Sequence, residues 1–368
     1  MTTATTTGSS VNAPKAAAPV VELEAVSRHF RVRTGGFFSR QVAMVRALDD
    51  VTLSLGAGET LGVVGESGCG KTTLARLILR DIPPTSGQLR FGGRALEEMS
   101  HSERAALTRS VGAVFQDPFS SLNPRHRVKT IVTEPAVIVE GMPGNRRPIA
   151  ARELLRLVGL PENAADLYPH EFSGGQRQRI AIARALSVSP NLLILDEPLS
   201  ALDVSIRAQI INLLKEVQHS FNLAYVFIAH DLASVYHMAD RVAVMYLGQV
   251  VEIGETVELY SRPAHPYTQA LLSASLPINP RDRKSEVILG GEVPSPLNPP
   301  SGCRFHPRCP LAFDRCKTEQ PPLRSVAPDH AAACFLADEL HGGGLPTPGP
   351  GAAQAETQPG RDGPVQTP

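Results

Sequence analysis

The chain has no excess charge of either sign: Lys plus Arg and Asp plus Glu both number 36 in 368 residues. A sequence-blind nucleic-acid binder needs a cationic field, so this balance argues against that class, a local basic patch apart. No apolar run approaches the roughly 20 residues of a membrane-spanning helix. The opening stretch, Met1 to Val20, lacks both the basic segment and the continuous apolar segment of a secretory signal, so the chain is expected to stay in the cytosol. There is no internal repeat, so each motif occurs once, and no sustained heptad pattern of the kind that builds a long coiled coil. Cysteine is scarce before residue 300: of five, four lie beyond it. In a reducing compartment, clustered thiols point to metal before disulfides.

What is present suffices for a large core, with 42% hydrophobic and 20% charged residues in 39.4 kDa. The length suggests two or three units. Residues 1–19 read as a flexible tail rich in Thr, Ala and Ser. Residues 20–260 alternate short apolar runs with longer helical patterns, the layout of an α/β layered domain. Residues 261–300 turn Pro-rich, 301–337 hold the late cysteines, and 338–368 read as a disordered Pro/Gly-rich tail with too little apolar surface to order itself.

Leu61 to Val64 reads as a short strand. Gly65-Glu66-Ser67-Gly68-Cys69-Gly70-Lys71-Thr72 follows it, and Leu74, Leu77 and Ile78 then recur at helical spacing. Strand, Gly-rich loop and helix in this order form a phosphate-binding loop. Glycines let backbone N–H groups curl around phosphate oxygens, and the helix start adds its dipole. Lys71 is expected to reach the β- and γ-phosphates, Thr72 to bind Mg²⁺, and Thr73 to add a phosphate hydrogen bond. Cys69 reads as a variable loop position without redox function.

Asn191 to Leu195 is a second buried-strand pattern, closed by Asp196 and Glu197. Ligand-handling residues sit at such strand ends. Asp196 is expected to hold Mg²⁺ through water and Glu197 to polarise the attacking water, the division of labour of phosphoryl transfer. A strand capped by solvated acids is the bland alternative, which the loop upstream disfavours. Phe172-Ser173-Gly174-Gly175-Gln176-Arg177-Gln178-Arg179 reads as a helix start, with Ser173 as its cap and two glycines exposing backbone donors.

This last segment resembles the signature of ABC-type ATPases, with Phe172 where Leu is usual. That resemblance implies a P-loop ABC-type nucleotide-binding domain: a RecA-like α/β core over 20–260, with a helical subdomain at about 117–187. It implies that two cassettes pair head to tail, each ATP lying between one chain's phosphate loop and the other's signature. Gln116 resembles the Q-loop residue that touches Mg²⁺ and water. Ser200-Ala-Leu-Asp203 resembles the D-loop, and His230 the switch histidine at the γ-phosphate. Phe30 fits the aromatic that stacks on adenine, with Val45 as its flank and Phe37 or Phe38 as alternatives. Glu197 and His230 are both present, as an active ATPase of this family needs.

The segments 117–124, 168–175 and 262–268 narrow the resemblance to the oligopeptide/dipeptide importer branch, in particular its F-type ATPase subunit. The branch implies ATP hydrolysis coupled to peptide uptake at the cytoplasmic face of the inner membrane. Its partners would be a paralogous D-type ATPase, two permeases and an external binding protein, with no nucleic acid. Nickel or another small solute is the alternative cargo; a soluble ATPase on nucleic acid or ribosomes is the alternative class. Cys303, Cys309, Cys316 and Cys334 have irregular spacing, without the close pairs of zinc ribbons. Four such thiols, with Pro310 after one, suit an iron–sulfur centre. The resemblance to peptide-importer extensions makes that a structural [4Fe–4S] cluster. Zinc, with His306 or His330 replacing one thiolate, and unlinked thiols are the alternatives.

Overall fold

The structure, a computed structural model, describes residues 18–34, 41–116, 121–274, 290–341 and 343. Phe37 and Phe38, the first half of the Asp117–Pro124 motif and nearly all of both expected tails lie outside the described residues. Residues 337–340 form a short helix with Leu340 buried, inside the stretch expected to begin the tail.

Two sheets carry the fold. The smaller has the order β2-β1-β4-β5, built from Val21–Thr34 (β1), Gln41–Leu55 (β2), Ser86–Phe91 (β4) and Arg94–Ala95 (β5). Its strands pair antiparallel, and the long β1–β2 ladder runs from Val21 opposite Leu55 to Thr34 opposite Gln41. The larger sheet has the order β11 (Arg324–Ala327), β12 (His330–Ala332), β10 (Gln249–Glu255), β9 (Arg241–Tyr246), β3 (Thr60–Val64), β8 (Ala224–Ile228), β7 (Leu192–Asp196) and β6 (Val111–Val114). Its parallel half comprises β6, β7, β8, β3 and β9. Every residue of β3, β7 and β8 is buried. This is why their sequences are continuous apolar runs without alternation: both faces of the strand are covered.

Register then decides which residues meet. Val63 pairs with Ile228, and Ile228 with Asp196. The carboxyl ends of β3, β8 and β7 therefore stand side by side along one edge, where ligands bind in open α/β sheets. Helix α1 (Lys71–Ile78) leaves that edge after β3 and buries Leu74, Leu77 and Ile78 against the sheet. After α2 (His101–Ser110), the helices α3 (Val128–Glu140), α4 (Arg147–Leu157) and α5 (Gly174–Leu186) pack on one another. Their Val128, Ile131, Leu155 and Ile180 belong to the main apolar cluster. Helices α6 (Val204–Phe221) and α7 (Leu232–Met238) follow β7 and β8.

Beyond β10 (Gln249–Glu255) the chain folds back on this core. Helices α8 (Thr256–Ser261) and α9 (Pro266–Ala274), a single 3₁₀ turn at 306–308 and α10 (Asp314–Thr318) precede β11 (Arg324–Ala327), β12 (His330–Ala332) and α11 (Ala337–Leu340). β12 pairs with β10, so the C-terminal segment completes the large sheet. Tyr246 of β9 packs against Tyr267 of α9 and Phe305, with ring centroids 4.7 and 5.3 Å away. All three rings are buried, and such pairs add about 0.5–1.5 kcal/mol each beyond their area. Among the described residues, no helix is long and apolar enough to cross a membrane.

Candidate active site

The loop from Gly65 to Gly70 begins where β3 ends. Gly65 and Gly70 have φ of 150° and 114°. A Cβ at Gly65 would collide with the Met245 carbonyl of β9, and one at Gly70 would lie 2.5 Å from the Ala47 carbonyl of β2. Only glycine fits where the loop passes this close to two other strands. The loop cradles its own lysine: Lys71 Nζ donates to the Gly65 carbonyl at 2.8 Å and the Glu66 carbonyl at 3.1 Å. The ammonium is thus buried but hydrogen-bonded, and these carbonyls hold the place of acceptors that a phosphate would offer. Cys69 is buried, and burial raises its thiol pKa despite the nearby Lys71 cation. That is the chemistry of an inert packing residue.

Two strands away, Asp196 ends β7 at 8% exposure. Its carboxyl pKa is raised, first by burial and then by the Glu197 charge, while Lys71 and a hydrogen bond from Thr72 pull it down. Two adjacent acids, one of them buried, with the Thr72 hydroxyl at hand, form an oxygen donor set that fits Mg²⁺. Glu197 adopts the left-handed backbone, φ 48°, uncommon for a residue with a side chain and costing of order 1 kcal/mol. Its N–H still donates to the Ile228 carbonyl at 2.9 Å.

Three residues far apart in the chain meet at the Glu197 carboxylate. Gln116, just beyond β6, donates its amide to Glu197 Oε2 at 2.8 Å. His230, just beyond β8, brings Nδ1 to 3.5 Å from the same oxygen. His230 remains 59% exposed, so its ring stands at the mouth of the site. The following residue, Asp231, caps α7 by accepting from the Ala233 and Ser234 N–H groups at 3.1 and 3.3 Å, which fixes the turn that presents His230. The sequence reading gave Asp231 no function, although an acid just before a helix is the usual sign of a cap.

The signature segment opens α5 as a reciprocal capping box. Ser173 Oγ accepts from the Gln176 N–H, and Gln176 Oε1 accepts from the Ser173 N–H at 3.0 Å. A Cβ placed on Gly175 would lie 2.5 Å from Ile206 of α6, whereas one on Gly174 would meet Leu202 at an ordinary 3.8 Å. Asp203 stands at the N-cap of α6 yet makes no side-chain hydrogen bond to it, leaving the carboxylate for other work. Phe30 pairs with Val45 across the β1–β2 ladder, and the Arg28 guanidinium lies 4.6 Å from its ring centroid. One face of the expected adenine platform is therefore already occupied by a cation.

The iron–sulfur expectation, with its zinc alternative, is corrected by the structure. Cys303, Cys309, Cys316 and Cys334 line one apolar cavity with Phe313 and Phe335, as free thiols. Among the described residues, the one group of three His, Cys, Asp or Glu side chains with ligand atoms mutually within 4.8 Å is Glu258, His330 and His341, and it contains no cysteine. No convergent thiolate set supports [4Fe–4S] or Zn²⁺ here. Burial also pushes the Cys303 thiol up, Cys309 to about 12 and Cys334 to about 11, whereas metal ligation requires thiolates. Cys303, Cys309 and Cys334 pack as small apolar side chains against the apolar clusters. The two alternative histidines are engaged: His330 Nε2 lies 2.7 Å from Glu252 Oε1, and His306 Nδ1 lies 2.9 Å from the Cys303 carbonyl.

Comparison with known proteins accords with this geometry. The ABC transporter family model matches residues 48–200, and the model of the oligopeptide/dipeptide transporter C-terminal region matches 251–316. The chain is 50% identical over 321 residues to the oligopeptide transport ATP-binding protein AppF of Bacillus subtilis (strain 168), spanning 86% of this chain and 97% of that protein. It is 48% identical over 317 residues to the di/tripeptide transport ATP-binding protein DppF of Pseudomonas aeruginosa (strain UCBPP-PA14), spanning 86% and 97%. Among solved structures it resembles the dimeric post-hydrolysis state of the ATP-binding cassette MJ0796 bound to ADP and Pi. That match has a TM-score of 0.55 at 28% identity and covers 64% of this chain and 98% of that one.

Proposed function

This chain belongs to the ABC transporter family, in the branch of oligopeptide and dipeptide importer ATP-binding subunits, and we infer from that premise that it hydrolyses ATP to power peptide uptake through partner permeases. The observation that carries the mechanism is the convergence of Gln116, Glu197 and His230 beside the loop that holds Lys71.

The backbone donors of residues 65–70 and the α1 start receive the triphosphate, with Thr73 adding a hydroxyl donor. Lys71 exchanges its two loop carbonyls for β- and γ-phosphate oxygens as ATP enters. Thr72, Asp196 and Gln116 are the residues to hold Mg²⁺, which when bound neutralises charge building on the phosphates. Glu197 accepts the proton of the attacking water. Gln116 fixes that carboxylate, and His230 steadies the γ-phosphate from the mouth of the site. Phe30 stacks on adenine through the ring face that Arg28 leaves open.

Ser173, Gly174, Gly175 and Gln176, with Asp203, serve a second cassette's nucleotide. The similarity to a dimeric cassette bound to ADP and Pi supports this pairing. The branch supports a paralogous D-type ATPase as the mate, two permeases at the helical subdomain near 117–187, and an external binding protein. The 20–260 unit would then be the motor and 261–337 its extension, at the cytoplasmic face of the inner membrane.

Glu197→Gln in the full-length chain, assembled with its partners, tests the assignment. ATP turnover is expected to fall about 100-fold or more while MgATP affinity stays within a few-fold. Turnover within two-fold of the unsubstituted protein would remove Glu197 from the chemistry.

A further inference from the structure

We propose that the C-terminal extension is a strut for the phosphate loop: Arg308 and Tyr267 position Glu66, and through it the outer arc that receives ATP. The inference rests on the reading of residues 65–72 as the ATP phosphate site.

The loop is held unevenly. Its inner ends, Gly65 and Gly70, lie against the backbone of β9 and β2, and the Cys69 carbonyl accepts from the Gly248 N–H at 2.8 Å. The outer arc lacks such support from the core. Ser67 and Gly68 are exposed, and a Cβ placed on Gly68 would meet nothing within 4 Å. Glu66 begins this arc, and among the described residues the three hydrogen bonds of its side chain and N–H come from the extension. Its N–H donates to the Tyr267 hydroxyl at 2.9 Å. Its carboxylate accepts a bidentate pair from Arg308, Nη1 at 2.8 Å and Nη2 at 3.1 Å. The two contacts bridge 201 and 242 residues of sequence.

The anchors are themselves immobilised. The Arg308 side chain is 7% exposed, against 27% for Glu66. The Tyr267 ring is wedged between Tyr246 and Phe305. Arg304, four residues before Arg308, binds the Leu247 carbonyl and Asp49 of β2, tying the same segment to the core. A bidentate guanidinium–carboxylate pair fixes direction as well as distance, which suits a strut better than a tether. The Glu66 carbonyl also accepts from Lys71 and from the Cys69 N–H, so turning Glu66 would disturb the donors that meet phosphate. Preorganising the loop lowers the cost of ordering it around ATP.

The test is MgATP binding and steady-state hydrolysis with the full-length chain in its assembled complex. Arg308→Ala is expected to raise Kd and KM for ATP about ten-fold with kcat changed less than two-fold, the pattern of lost ground-state binding. Tyr267→Phe keeps the ring packing, removes the acceptor, and is expected to raise KM about three-fold. Arg308→Ala made in a Glu66→Ala background should then have no further effect on KM, because the strut acts only through Glu66. Unchanged KM in both Arg308→Ala and Tyr267→Phe overturns the proposal. So does an Arg308→Ala effect that persists without Glu66. Should Arg308→Ala fail to fold, Tyr267→Phe decides alone, since its hydroxyl accepts from the Glu66 backbone N–H, and an unchanged KM there overturns the proposal. Failure of the unsubstituted protein to bind MgATP would instead overturn the ATP-site reading.

Discussion

Asp196 combines two penalties that a purely structural residue avoids: it is buried, and its sequence neighbour is another acid. Both raise its folded pKa above the ordinary 3.8. Above pH 3.8 the unfolded chain gives up this proton first, so the folded state binds more protons and stability falls as pH rises through the raised value. Asp196→Asn should therefore raise the unfolding midpoint of the nucleotide-free chain at pH 7 by about 2 °C, and the gain should vanish near pH 4. Calorimetry at the two pH values checks this; a lower midpoint at pH 7 would contradict it. The same variant should lose Mg²⁺-dependent turnover. Asp196 and Glu197 were both legible from an apolar run ending in two acids. The left-handed backbone of Glu197 was not, because nothing but glycine announces that conformation in sequence. Nor was the hydrogen bond from Gln116, which depends on the β6–β7 pairing.

At the scale of elements, the adjacent glycines that open α5 do different work. A Cβ on Gly175 would lie 2.5 Å from Ile206 Cγ2, a branch methyl that cannot swing away, whereas Gly174 has room for one. Gly175→Ala should cost about 1–3 kcal/mol by forcing α5 from α6. Gly174→Ala should leave stability unchanged, since alanine favours helix, yet cut turnover about ten-fold if this face meets nucleotide. Denaturant midpoints and ATPase rates separate the two. Full turnover in Gly174→Ala would remove that face from the ATP site. The strands β3, β7 and β8 and the helices α1 and α5 were readable because each carries one unbroken signal: a fully apolar run, or a cap followed by helical spacing. The strands β11 and β12 were not. They are short, and β12 joins the large sheet by pairing with β10, some 80 residues earlier, while β11 pairs with β12.

The whole molecule is one motor with its C-terminal segment folded into it rather than trailing behind. The sequence marked that segment by its cysteines, and their clustering, together with the resemblance to peptide-importer extensions, suggested a metal. The geometry overrules the suggestion: among the described residues, none of the four cysteines belongs to a group of three or more His, Cys, Asp or Glu side chains with ligand atoms mutually within 4.8 Å. What binds the segment to the core is instead the Tyr246–Tyr267–Phe305 cluster, the β10–β12 pairing and two arginines, contacts that no local pattern reveals. The most direct measurement is uptake of a labelled peptide by proteoliposomes holding the complete importer, followed alongside ATP hydrolysis. With the unsubstituted chain, peptide should accumulate only while MgATP is split, and with Glu197→Gln both should stop together. Peptide accumulation at an undiminished rate with Glu197→Gln, or ATP hydrolysis that never moves peptide, would contradict the account.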